Sequence, residues 1–431
     1  MSPTVRRLTY AAIFLVAFTT YVLRAYGTGT LTYPAERGDS FDYEAIAFNL
    51  WKGNGYGYNW SDPEFRAPYE KFPRYGDVLR RHSSYYPTTY RPPAFPYLLS
   101  LVYKVAGRNF AAWRILNCAI VAGAVTLAAA VSVHFAGLAA GPVAAVLLLQ
   151  SPQLTRYSQM FMTEGLAMLL VALLACIWLR QVRQQWTLGS AVASGLVLGG
   201  LMAVRSIYML WVPMALFAPG TDPGGGRWAW RAKGMCLLAC LLVIAPWWVR
   251  NIAVTGEFMP AGTQAPLNLP AGFGPQALQY EGLWRSIRDD EPAKLRAQNI
   301  DPYSVTFEVR LAQARSARTM AWMREHPVDV ARLMVLHVWQ ELRPRGQLLW
   351  DLLLPAAAVA AVVLRKVPGI GIIVLMVAAN IMSVALTWGA GGRFMTPVQP
   401  LLLALVGAML VHAARQGTIA LHRFRASGAA P

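Results

Sequence analysis

The chain has 431 residues, of which 56% are apolar and only 14% charged, whereas an average soluble domain carries roughly a quarter charged residues. Its formal net charge of +18 is spread without a continuous basic stripe, so nucleic acid is not the implied partner. With long apolar runs such as 165–179 and 401–411, these totals exclude a soluble globular protein and imply an all-α polytopic membrane protein with a single domain over 1–431.

Ten membrane-spanning helices are predicted, with a range of nine to twelve, at about 8–26, 109–133, 138–154, 162–181, 187–204, 206–219, 234–250, 347–364, 369–388 and 395–414. The first run lacks a small-residue cleavage site and reads as a retained helix. Lys and Arg in the short loops set the orientation. Arg6, Arg7, Arg180, Arg183, Arg227, Arg231, Lys233, Arg365, Lys366, Arg415, Arg423 and Arg425 fall on one side with a single acid, Asp222. That side is the cytosol, which puts both termini inside and the long loops 27–94 and 251–346 outside.

The first outer loop holds fifteen aromatic residues, too many for a disordered linker. Within it, Tyr43, Ile46, Ala47 and Leu50 share one face of a helix from Asp42 to Lys52, expected to lie along the membrane surface and to stop at Gly53. Residues 94–107 are apolar but too short to span, and read as a half-buried or re-entrant piece. Residues 220–233 form a cytosolic linker. In the second outer loop, Asp301-Pro302 opens a helix running to about Glu325, His326-Pro327 breaks it, and a further helix leads to Glu341. The last helix is expected to end near 414, followed by a short, basic, flexible tail over 415–431 and no large outer domain.

The four cysteines, Cys118, Cys176, Cys236 and Cys240, all lie in predicted helices without metal-ligand partners, so they read as packing residues, and no disulfide framework or zinc site is implied. Of the 21 acids, eight lie in 27–94 and ten in 251–346, and the remaining three, Glu164, Asp222 and Asp351, avoid the membrane centre. A pump or ion-coupled transporter usually needs an ionisable group there, so chemistry at the outer interface is favoured. No phosphate-binding Walker loop supports a nucleotide-driven pump.

Candidate functional residues gather at that outer face. Asp39 and Asp42, three residues apart, can share a helix face and accept a proton from an attacking hydroxyl or amine. A plainer reading has one cap the helix and the other stay solvated. Arg24, Lys104, Arg108, Arg114, Arg156, Arg205, Arg250 and Arg393 all map near the outer face, and four of them, Arg156, Arg205, Arg250 and Arg393, close helices that rise out of the membrane. Guanidinium groups suit a lipid-borne phosphate, although snorkelling or helix-end interactions account for any one of them. Arg91 precedes Pro92-Pro93, which presents its cation rigidly or simply turns the chain. Glu164 opens a helix, a favourable place for an acid on dipole grounds alone, or contributes to the rim of a binding site.

At these residues the chain resembles the GT-C membrane glycosyltransferases, in particular the branch containing protein O-mannosyltransferases and the aminoarabinose transferases of lipid A. The resemblance rests on DSFDYEAIAFNL from Asp39, RPP-AFPYLL from Arg91, TEGLAMLL (163–170), APWWVRNIAVTGEFMP (245–260), EHP (325–327) and GGRFMTPVQPLLLAL (391–405). It implies an inverting transfer of a monosaccharide from a polyprenyl-phosphate donor to an extracytoplasmic acceptor, at the outer face of a bacterial cytoplasmic membrane. Alignment on Asp-x-x-x-Tyr gives the base or acceptor-binding role to Asp39, with Tyr43 as the family's aromatic and Asp42 ranking second. Arg91 takes the place of the family's phosphate-binding cation, and Arg250 and Arg393 fall in family-like positions. Arg205 is a further phosphate candidate, and Tyr90 and Arg156 join Tyr43 and Glu164 at the site rim. Arginines can supply the charge that nucleotide-sugar enzymes commonly take from a metal, so no cofactor is required and a divalent metal is not indicated. The alternative is a lipid-linked-sugar binding protein or flippase that performs no transfer.

Overall fold

A computed structural model of the chain describes residues 2–183, 187–217, 227–343 and 348–427. The described part is helical almost throughout, with one antiparallel pair of two-residue strands joining Gly57–Tyr58 to Tyr86–Pro87. Among the described residues, five helices are long and apolar enough to cross a membrane: Pro3–Gly27, Phe110–Ala136, Glu164–Val182, Trp230–Thr255 and Thr396–Ala420. The other five predicted spans coincide with shorter apolar helices. The predicted 138–154 span, for example, stops at Leu149, because Ser151 caps a new helix, Pro152–Gln159, with its side chain. The segment after Arg205 is a 3₁₀ helix, Ser206–Phe217, that contains Pro213. The last helix, Gln399–Ser427, continues well beyond 414, so the expected flexible tail is helical as far as Ser427. Most of the expected 220–233 linker lies outside the described residues.

Small residues bring the spans together. Helices Leu188–Val204 and Arg227–Thr255 make the most extensive pair. At Gly195 an added Cβ would stand 2.1 Å from the Cys236 carbonyl oxygen, and at Gly199 2.6 Å from Val243 Cβ. This small-x-x-x-small stripe lets two backbones approach where lipid offers no hydrophobic drive to association. It also accounts for Cys236 and Cys240, which are buried beside the stripe and unpaired.

The first outer loop folds as a packed cap. Its helix, Asp39–Lys52, is capped by Gly53 and is enclosed by protein over most of its length. Nine of its residues, from Ser40 to Asn49, are buried. The aromatics of the loop enclose it: Phe41 stacks on Trp60 and meets Phe65 and Tyr69 edge-on. Glu44, fully buried, accepts from Arg108, Tyr69 and Tyr103 and so ties this helix to Pro63–Glu70 and, beyond it, to a second apolar helix, Ala94–Ala106. That second helix is half-buried, with Phe95, Leu99 and Tyr103 inward and Leu101 and Val105 exposed.

In the second outer loop the long helix starts at Val305, one turn later than expected. Ser304 is its cap, and Asp301 accepts instead from the Tyr303 amide. It ends at Glu325, and Pro327–Leu342 follows across the predicted His326-Pro327 break. Three short helices, Gln264–Gly272, Pro275–Gln279 and Glu291–Ala297, were not foreseen.

Candidate active site

Under the cap, between it and the second outer loop, lies a cavity of about 910 Å³. Along and behind its charged side runs a chain of alternating acids and arginines drawn from five separate parts of the sequence. Asp39 opens its helix, where an acid is favoured by the helix dipole. Its Oδ1 accepts from Arg91 at 2.6 Å and its Oδ2 from Arg393 at 2.7 Å. Arg91 also donates to Asp42 at 2.7 Å, and Asp42 accepts from Arg81 at 3.2 Å. Arg393 turns its Nε to Glu164, which accepts from Arg205 at 3.2 Å as well. The order is therefore Asp42, Arg91, Asp39, Arg393, Glu164, Arg205.

Each member is locally constrained. The guanidinium of Arg91 lies 5.1 Å from the Tyr43 ring centroid and 4.6 Å from that of Tyr90, and the side chain is only 4% exposed. Tyr56 holds the Arg91 carbonyl at 2.8 Å. Arg205 sits just past the end of the Leu188–Val204 helix and lies against the Phe394 ring. Arg393 is carried on a turn in which Gly391 and Gly392 have φ of 64° and 88°, a conformation that side chains rarely adopt.

Burial pushes the Asp39 carboxyl up, but the guanidinium groups of Arg91 and Arg393 outweigh it and hold the group well below the usual carboxylate range. Asp39 is thus ionised and doubly paired. Arg91 Nε is a buried donor with no hydrogen-bond partner among the described residues.

Of the residues singled out from sequence, Asp39, Tyr43, Tyr90, Arg91, Arg205 and Arg393 line the cavity. Asp42 and Glu164 stand behind it, where they orient Arg91 and the Arg205–Arg393 pair. Glu164 is fully buried and is not at a rim. Two of the predicted residues lie elsewhere. Arg250 donates to the carbonyls of Thr88 at 2.6 Å and Tyr56 at 2.9 Å, and so braces the strand pair that precedes Arg91. Arg156 is exposed and lies against the Tyr157 ring. Helix-end position alone did not separate cavity arginines from brackets. Arg24, Arg108 and Arg114 are likewise occupied by carbonyls, hydroxyls or acids outside the cavity.

Several lining residues had no signal in the sequence reading. Trp284 donates to Asn268 at 3.0 Å, and Asn268 donates to the Tyr90 hydroxyl at 3.2 Å. Arg285 and Trp388 also line the cavity, together with apolar residues such as Met209, Leu210 and Leu386. Glu341 was also missed, although an acid in the last turn of a helix is a recognisable anomaly, because the dipole disfavours it there. Burial pushes its carboxyl up to about 7, against the backbone amides of Ala390, Phe394 and Met395, which pull it down. Among the described residues, no group of three His, Cys, Asp or Glu side chains is arranged to hold a metal ion.

Residues 90–249 match the family model described as dolichyl-phosphate-mannose-protein mannosyltransferase. No curated protein matches the chain. Among solved structures, ArnT from Cupriavidus metallidurans in the apo state superposes with a TM-score of 0.52 at 12% identity over 93% of this chain. The archaeal oligosaccharyltransferase AglB from Archaeoglobus fulgidus, in complex with an inhibitory peptide and a dolichol-phosphate, gives 0.53 at 14% identity over 98% of this chain. The chain spans 59% of the ArnT chain and 52% of the AglB chain. It is a multi-pass membrane protein of the GT-C fold, similar over 90–249 to the dolichyl-phosphate-mannose-protein mannosyltransferases.

Proposed function

We propose that the chain is an inverting glycosyltransferase that moves a monosaccharide from a polyprenyl-phosphate donor to an acceptor on the outer side of a bacterial cytoplasmic membrane. The observation that carries this reading is the meeting of Asp39 with Arg91, Arg393 and Arg205 on the wall of one large cavity. The arginines receive the donor phosphate, and the apolar lining around Met209, Leu210 and Leu386 takes the first units of the lipid.

Paired with Arg91 and Arg393, Asp39 is a poor base, because two guanidinium groups hold its charge. A donor phosphate competes for those same donors. As they turn to it, the proton affinity of Asp39 rises just where the acceptor hydroxyl arrives. The acceptor oxygen attacks the anomeric carbon from the face opposite the phosphate. The bond from that carbon to the phosphate oxygen breaks, Asp39 takes the hydroxyl proton, and the polyprenyl phosphate leaves with its new charge stabilised by arginine. The guanidinium groups can supply the charge that a divalent ion supplies in many nucleotide-sugar enzymes.

The test is the glycan or glycolipid missing from cells that lack the protein. Wild-type protein restores it, and Asp39→Asn does not. In vesicles, transfer of labelled sugar from the polyprenyl-phosphate donor persists with chelator present. A protein that carries the labelled donor across the bilayer, with Asp39→Asn as active as wild type, would instead be a flippase.

A further inference from the structure

The Arg393 turn is held from behind by a carboxylate outside the acid–arginine chain. Glu341 lies in the last turn of Pro327–Leu342 and is 0% exposed. Among the described residues no arginine or lysine forms an ion pair with it. Instead its two oxygens accept backbone amides on either side of Arg393: Oε1 from Ala390, and Oε2 from Phe394 at 3.0 Å. The left-handed Gly391 and Gly392 let the turn close around the carboxylate, so that the backbone faces Glu341 while the Arg393 side chain reaches Asp39 and Glu164.

The same helix fixes both approaches to the turn. One turn before Glu341, the ring nitrogens of His337 lie 3.1 Å from the Ala385 carbonyl and 2.9 Å from that of Gly272. Gln340 donates to the Glu281 carbonyl, and Gly282 and Trp284 in turn bracket Gly389 through backbone bonds of 3.0 and 2.8 Å. A buried ion surrounded by amides, with no cation to pair with, is a costly way to hold a loop. A hydrophobic side chain would pack a turn without that cost but would not fix the two N–H groups.

We infer that Glu341 is a positioning residue for phosphate recognition: by gripping the Ala390 and Phe394 amides, its carboxylate aims Arg393 into the cavity. The inference rests on the proposed phosphate site. Protonation turns one Glu341 oxygen into a neutral hydroxyl, a much weaker acceptor than a carboxylate oxygen, so the grip on the two amides loosens as pH falls through about 7. The charged group bearing on it is Arg205, from the end of Leu188–Val204, while Arg393 turns its guanidinium away to Asp39 and Glu164 and His337 lies one turn back on the same helix. Glu341→Gln mimics the protonated form at every pH.

The experiment is binding of undecaprenyl methyl phosphate, a diester whose single charge does not change near neutrality, to the full-length protein at pH 6 and pH 8. The wild type is expected to bind roughly tenfold more tightly at pH 8, since the loss of one charge-assisted contact is worth about that factor. Glu341→Gln binds weakly with no pH slope, Arg393→Ala does the same, and the double variant is no weaker than Arg393→Ala. Wild-type affinity at pH 8 in Glu341→Gln, or a retained pH slope, overturns the inference. Should Glu341→Gln fail to fold, Arg393→Ala decides: loss of the slope supports the role, and its persistence ends it. Arg91→Ala separates the two levels. If Arg91→Ala also binds as wild type, the phosphate site itself is wrong. If Arg91→Ala weakens binding while Glu341→Gln does not, only the role of Glu341 fails.

Discussion

Arg393 and Asp39 lie 354 residues apart in the chain and 2.7 Å apart in the fold. Their contact joins the turn before the last span to the first outer loop. Because Arg393 also holds Glu164, the contact couples the cap over the cavity to the membrane helices beneath it.

Removing the charge of Asp39 separates catalysis from binding. Asp39→Asn keeps the shape but cannot take a proton, so transfer should fall by roughly 10²–10⁴, the usual contribution of a general base. Donor affinity should hold or rise, because Arg91 and Arg393 lose a competitor for the phosphate. Single-turnover transfer and calorimetric donor binding read the two effects apart. Transfer at the wild-type rate would remove Asp39 from the chemistry.

Arg91 should behave in the opposite sense. Loss of a charge-assisted contact costs about 1.5–3 kcal/mol, so Arg91→Ala should weaken donor binding by roughly 10–100-fold. Arg91→Lys should recover only part of this, because a point charge cannot lie between the Tyr43 and Tyr90 rings while bridging Asp39 and Asp42. Equal donor affinity in all three proteins would contradict the assignment.

Glu164 is a stability prediction before it is a catalytic one. Glu164→Gln leaves Arg205 and Arg393 beside a buried neutral group, and breaking a buried pair from one side costs about 3–5 kcal/mol. A clear drop in thermal midpoint in detergent is expected, smaller in Glu164→Asp. An unchanged midpoint would mean that the buried ion pairs do not form.

Glu341 predicts an unusual slope of stability with pH. Its folded pKa is raised from 4.5 to about 7, so the native protein keeps a proton that the unfolded chain has already released. Its contribution is therefore fully favourable below that window and is lost as pH rises through it, by on the order of 3 kcal/mol in total. Unfolding measured from pH 5 to pH 8 should show Glu341→Gln gaining stability relative to wild type as pH rises. Parallel curves would place Glu341 in a solvated setting.

Much of this protein was legible as composition and period. Apolar runs set the helices, Gly53 and Pro327 set their ends, and the crowd of aromatics announced a folded outer loop. Those features act over a few residues, so a linear reading captures them. Asp39 with Tyr43, and Arg91 with its two prolines, stand out through two short motifs 52 residues apart, each readable locally. What the linear chain left open is partnership. Arg250 and Arg393 look alike as cations at helix ends, yet one braces the carbonyls of Thr88 and Tyr56 while the other reaches Asp39. The helix beginning at Asp39 has an amphipathic pattern suited to a membrane surface, but aromatics from as far along the chain as Phe95 and Tyr103 pack against it and bury it. Glu341 acquires its role only because a turn some fifty residues later folds around it. Local propensity and hydrophobic drive are written in short stretches of chain, whereas the direction of a charge and the groups that answer it depend on contacts that only the packed fold brings together.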